Sequence, residues 1–150
     1  MSDPGEMFRA AADDAVRESW ADLCAALDAV TLPDAAAVAA AMLARPTRVL
    51  CVGLRWIGRG YDEPLGAADA LEWFVKHLPA EMVDTVRRTH AAAEIRFRNG
   101  SRCDFHSAVN PGAWFGTRYD AAWLTGPREA YPEAALWDIA SRCRRDHGND

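Results

Sequence analysis

Two hydrophobic rhythms run along the chain. Before residue 46 the apolar positions recur every three or four residues. In "DPGEMFRAAADDAVRESWADLCAALDAV" they fall at Met7, Ala11, Ala15, Trp20, Leu23 and Leu27. That spacing predicts an amphipathic helix. Asp3 suits its N-cap, with Pro4 at the first helical position and Glu6 three residues after the cap. "TLPDAAAVAAAMLARP" predicts a second helix, started by Thr31 or Asp34 and ended before Pro46. Its alanines fit helix propensity, because alanine loses no side-chain entropy there.

From residue 47 the rhythm changes. "TRVLCVG" is a short, apolar, β-branched run closed by glycine, and it predicts a buried central strand. "LRWIGRGYDEPLG" reads as a loop. "AADALEWFVKHLP" predicts a helix with Leu71, Phe74, Val75 and Leu78 on one face, stopped by Pro79. "AEMVDTVRRTHAAA" reads as one further helical turn or a linking segment. "RYDAAWLTG" (118–126) predicts another buried strand. A final helix opens at Pro132, with Leu136, Ile139, Ala140 and Cys143 as its apolar face.

Between these lies "EIRFRNGSRCDFHSA" (94–108), two strands around Asn99-Gly100, a strong hairpin signal. A two-residue turn would place Ile95 opposite Asp104 and Phe97 opposite Arg102, mixing apolar and charged groups on one face. A three-residue loop places Phe97 opposite Ser101 and Ile95 opposite Cys103. Ile95, Phe97, Cys103 and Phe105 then share a face, and Arg96, Arg102 and Asp104 share the other. Register follows burial, so the three-residue loop is expected, with Gly100 left-handed in a bulge. Strands alternating with helices, plus one hairpin, predict an α/β or α+β fold: a three-layer sheet with flanking helices. Residues 1–150 form a single domain in this reading, with a helical N-terminal segment (1–46) and an α/β core (47–146).

Composition adds constraints. The length of 150 residues is about one domain, and half the residues are apolar. A net charge of −5 argues against a dedicated nucleic-acid binder, whose domain is usually basic. Arginines still cluster locally, at 87–88, at 96, 98 and 102, and at 142, 144 and 145. Solvated faces are their ordinary explanation. The four cysteines (Cys24, Cys51, Cys103, Cys143) form no CxxC pair, so neither a disulfide framework nor a zinc knuckle is expected. "CDFH" (103–106) has a ligand-like spacing, but no second pair answers it, and no metal is expected. Asp104, His106 and Ser107 invite a triad reading, yet adjacent strand residues face opposite ways. "MSDPGEMF" lacks the features of a signal peptide, and no apolar run approaches the ~18 residues of a membrane span. A cytoplasmic protein without membrane contact is expected. Of the tryptophans, Trp73, Trp123 and Trp137 read as core, whereas Trp56 and Trp114 stand in loop-like sequence and are candidate interface residues.

From about Arg48 to Arg145 the chain resembles the ATPase core of the phage large terminase family, the DNA-packaging motor subunit. "VLCVG", "ALEWFVKHLP", the hairpin "IRFRNGSRCDF", "FGTRYDAAWLTG" and "YPEAALWDIASRCR" follow the order and spacing of that family's elements. Gly116 matches the family's glycine after the loop arginine, and Asp120 the aspartate that commonly opens the next strand. The resemblance implies a strand at 48–53 parallel to the one at 119–125, with the hairpin beside them.

The departures bear on function. The family's Walker B aspartate and catalytic glutamate fall on Thr125 and Gly126, which carry no charge to organise magnesium or accept a proton. The loop arginine falls on Phe115. No GxxxxGK[ST] phosphate loop occurs. "LRWIGRG" is its nearest echo, with Arg59-Gly60 in place of lysine and hydroxyl. The implied protein is a non-catalytic, P-loop-like remnant with no catalytic residues, cofactor or metal. It would be a phage or prophage factor that binds a packaging-motor subunit or host protein, with DNA a further partner. Candidate phosphate or nucleic-acid contacts are Arg55, Arg59, Arg96, Arg98, Arg102 and Arg118. The alternative is a divergent ATPase subunit that binds ATP and magnesium, with acids drawn from Asp62, Glu63, Asp104, Asp120 or Glu129. An unrelated small α/β binding protein is the third reading.

Overall fold

A computed structural model describes residues 19–58, 66–89, 92–109 and 117–143. Asp3, Pro4, Glu6, Met7, Ala11, Ala15, Arg59, Asp62, Glu63, Trp114, Phe115, Gly116, Arg144 and Arg145 lie outside them. The described helices are α1 (19–28), α2 (Ala35–Ala44), α3 (Ala67–His77) and α4 (Glu133–Arg142). The strands are β1 (Arg48–Gly53), β2 (Val83–Arg87), β3 (Glu94–Phe97), β4 (Arg102–Ser107) and β5 (Ala121–Leu124). They form one mixed sheet in the order β2-β3-β4-β1-β5. β1 runs parallel to both β4 and β5, while β3 is antiparallel to β2 and β4. The fold is α/β.

β1 explains the layering. After Arg48 all its residues are buried, as expected of a strand covered on both faces. Val49 and Cys51 point to one side, where α2 (Val38, Met42), α3 (Leu71, Phe74), Ile95, Phe105 and Trp123 complete a core. Leu50 and Val52 point to the other, against α1 (Leu23, Leu27) and α4 (Leu136, Ile139).

The helices start where local chemistry permits. Asp34, not Thr31, caps α2, its Oδ1 accepting from Ala37 N–H at 2.8 Å. Thr31 instead donates its hydroxyl to Leu27 O and forms a parallel bridge with Ala122. Leu32 N–H donates to Ala122 O, and Ala122 N–H donates to Val30 O. The α1–α2 connection therefore covers the outer edge of β5.

Three expectations need correction. The segment after Pro79 opens with the expected single helical turn, a 3-10 turn (Ala80–Met82), but then forms β2, the other edge strand, rather than a linker. The buried stripe of α3 is Ala67, Ala70, Leu71 and Phe74, and Val75 is exposed. A helix lying on a sheet brings its small residues to the contact, which turned the stripe away from Val75. Trp137 is 40% exposed, one residue beyond the buried Leu136 on α4. Trp123 is core, as expected, and Trp73 is half-buried, stacked on His77 at 4.4 Å.

The hairpin takes the expected register. Ile95 stands opposite Cys103, Phe97 N–H donates to Ser101 O, and Gly100 has φ 94°, where a side chain would be strained. Asn99 and Ser101 both donate to Met42 O, fastening the turn to the end of α2.

Candidate functional site

The C-terminal ends of parallel strands are the usual place for ligands in α/β sheets. Here the described groups at the ends of β1 and β5 bond to one another. Beyond β5, the Tyr131 hydroxyl donates to Val52 O at 2.7 Å and accepts from Gly126 N–H at 3.1 Å. Thr125 N–H donates to Val52 O as well. Burial pushes the Tyr131 hydroxyl up to about 12, so it stays protonated and keeps donating. Thr125 and Gly126 thus stand at a strand end sealed by a tyrosine.

The described residues flanking the loop after β1 are also bonded to one another. Ala67 and Ala68 N–H at the start of α3 donate to Arg55 O and Trp56 O. The Asp69 carboxylate accepts from both Gly58 and Gly66 N–H. A helix start attracts phosphate through free N–H groups, and those of Gly66, Ala67 and Ala68 already have acceptors. The fit is tight: a Cβ on Gly66 would lie 2.6 Å from Trp56 O and Gly58 N. Arg55 is exposed, and Trp56 is half-buried against the core beside α2 and α3. Trp56 is therefore a packing residue on at least one side.

The hairpin's polar face holds the main surprise. Arg96 is exposed, as expected of a solvated arginine, and Arg102 is partly covered, but Glu94, Asp104 and His106 beside them are buried. α1 and α4 cover this side of the sheet over β1 and β5, and over β3 and β4 it is polar. Glu94 and Asp104 stand directly opposite each other. Two adjacent carboxylates repel unless cations intervene. Arg96 Nε lies 2.9 Å from Glu94 Oε1, and Arg87 Nε 3.7 Å from it. Arg102 reaches Asp104 through Nη2 at 3.1 Å, with its Nε 3.9 Å from Glu94 Oε2. The Tyr119 hydroxyl donates to Asp104 Oδ2 at 2.7 Å. Burial, reinforced by that bond, holds the Tyr119 hydroxyl above the ordinary tyrosine range. These groups line a cavity of about 190 Å³.

The other candidates are dispersed. Arg98 is exposed beside the turn, and Arg118 is exposed ahead of β5. Asp104 is held by Arg102 and Tyr119. Asp120 accepts from Arg48 N–H at 2.8 Å, at the end of β1 away from Thr125. Glu129 is exposed in a 3-10 turn. Cys103 points to the opposite face from Asp104 and His106, and no metal-binding group of three or more His, Cys, Asp or Glu occurs among the described residues. His106 shares the Asp104 face and Ser107 does not, so no triad forms. Sequence reasoning missed Glu94 and Tyr119. The alternation of Glu94 with Ile95 was visible, but the reach of Tyr119 depends on where β5 packs.

No family model, no curated protein and no solved structure matches this chain.

Proposed function

We propose that the chain is a non-catalytic binding or regulatory factor built on a terminase-like core, of phage or prophage origin and linked to DNA packaging or to phage–host contact. The observation that carries the reading is the closure of the β5 end. Where the resemblance puts a magnesium-organising aspartate and a catalytic glutamate, Tyr131 ties Gly126 N–H to Val52 O. Further support comes from β1 running parallel beside β5 with the NGS hairpin on its other flank, the arrangement implied by the resemblance. In this reading the protein is cytoplasmic and needs no cofactor, and its partner is a packaging-motor subunit or a host protein, with DNA secondary. No described helix is long and apolar enough to cross a membrane.

A nucleotide assay tests this. The full chain should hydrolyse no ATP, and its melting temperature should not rise with ATP and magnesium together. A magnesium-dependent rise that disappears in Arg59→Ala would overturn the reading in favour of a divergent ATPase subunit. In the same reading, the packaging ATPase encoded alongside this chain should bind it saturably in a sedimentation titration.

A further inference from the structure

The sheet register places three arginines in one row. Arg96 on β3 is opposite Arg102 on β4, and Arg102 is opposite Arg48 on β1. All three alternate onto the side of the sheet that carries Leu50 and Val52. Adjacent strands lie about 4.8 Å apart, and like charges directly opposite one another destabilise a sheet. The next row gives partial relief. Glu94 engages Arg96 Nε, and Asp104 engages Arg102 Nη2. Arg102 Nε is buried without a hydrogen-bond partner. The Arg48 guanidinium forms no ion pair among the described residues, and Asp120 accepts from the Arg48 backbone N–H.

These arginines line a cleft of about 260 Å³, together with Asp84, Gly100 and Ser101. Arg96 and Arg102 are each engaged by a carboxylate of the next row, so Arg48 is the lining guanidinium without an ion pair among the described residues, with Asp84 across the cleft. Each guanidinium carries five N–H donors in a fixed fork suited to oxyanions, and most of them here are not committed to a carboxylate. We propose that this cleft is an oxyanion site that takes a phosphoryl group, either free or carried in a phosphodiester chain. A tetrahedral oxyanion matches the three separate forks and the unpartnered Arg102 Nε. The site uses neither the end of β5 nor the loop after β1, so it stands independently of the terminase-like reading.

The test titrates the full chain with inorganic phosphate, pyrophosphate and a short single-stranded oligonucleotide at constant ionic strength, followed by amide chemical shifts. Saturable shifts should concentrate at Arg48, Arg96, Ser101 and Arg102. Arg48→Ala is the informative variant, because Arg48 is exposed and holds no buried carboxylate. It should weaken binding about tenfold, Arg48→Lys should weaken it less, and Arg55→Ala, at the far end of β1, should leave it unchanged. Saturation by phosphate or pyrophosphate identifies a free oxyanion, whereas saturation by the oligonucleotide alone identifies a group in a chain. Lack of a saturable response to all three, shifts centred elsewhere in the unsubstituted protein, or equal binding by Arg48→Ala would overturn the proposal. The signal requires no magnesium and is unaffected by Arg59→Ala, which separates it from the nucleotide assay above.

Discussion

The Tyr119 hydroxyl donates to Asp104 Oδ2 across 2.7 Å, joining the segment ahead of β5 to the middle of β4. Asp104 also bonds Arg102, and both carboxylates of this patch are largely removed from water. Tyr119→Phe keeps the ring packing and removes one partner from a buried charge. It should cost about 1–3 kcal/mol, read from the midpoint of urea unfolding at unchanged slope. A loss under about 0.5 kcal/mol would show that water replaces the hydroxyl without penalty.

Tyr131→Phe acts at the end of the parallel strands. Val52 O keeps Thr125 N–H as a partner, so the group left unpaired is Gly126 N–H. A cost of about 1–2 kcal/mol is expected, together with faster hydrogen exchange at the Gly126 amide. Unchanged exchange there would mean that the hydroxyl does not seal the strand end.

Two glycines should fail for different reasons. A Cβ on Gly53 would lie 2.5 Å from Ala67 N and 2.7 Å from Arg55 O, both backbone atoms that cannot rotate away. Gly53→Ala should cost about 3 kcal/mol, at the upper end of overpacking effects. A Cβ on Gly100 would make only an ordinary contact, 3.8 Å to Pro46 Cβ, but φ is 94°, so Gly100→Ala should cost only about 1–2 kcal/mol of backbone strain. Equal losses in thermal unfolding of the two variants would count against this distinction.

Alkali should unfold the protein earlier than its carboxylates and arginines would suggest. Burial raises the thiols of Cys51 and Cys103 far above the usual range and pushes Cys143 up to about 12. A group whose folded pKa is raised contributes stability below its unfolded pKa and loses it as pH climbs toward the folded value. For a thiol that loss begins near 8.5. Stability should be flat from pH 7 to 8 and then fall by about 1.4 kcal/mol per pH unit for each buried thiol. The tyrosine hydroxyls join above about 10. Cys143→Ala should flatten the slope. A stability that rises between pH 9 and 10.5 would contradict the assignment.

The hairpin register was legible in the sequence because only one loop length gathered Ile95, Phe97, Cys103 and Phe105 on one face. β2 was not legible, and the reason is local. A register shift between Val83 and Thr85 inserts an extra residue opposite β3, so the half-buried residues Val83 and Val86 fall three apart. A bulged strand thus imitates a helical period. Trp137 was misread because hydrophobicity was weighed without its angle, about 100° from Leu136 around the helix. In the candidate site, alternation put Arg96, Arg102 and Asp104 on one face. The row with Arg48 needs the β1–β4 register, and the grip of Tyr119 on Asp104 needs the position of β5. Both are long-range pairings without a local signal.

The Val30–Leu32 stretch that covers β5 also sets the order in which the fold can be completed. Synthesis delivers this stretch well before Ala122, so through most of translation its partner does not yet exist. Native pairing at that edge has to wait until β5 has emerged and docked beside β1. Such sequence-distant closure slows folding relative to local contacts. A nascent chain stalled before residue 120 would hold α1 and α2 without the edge strand they enclose.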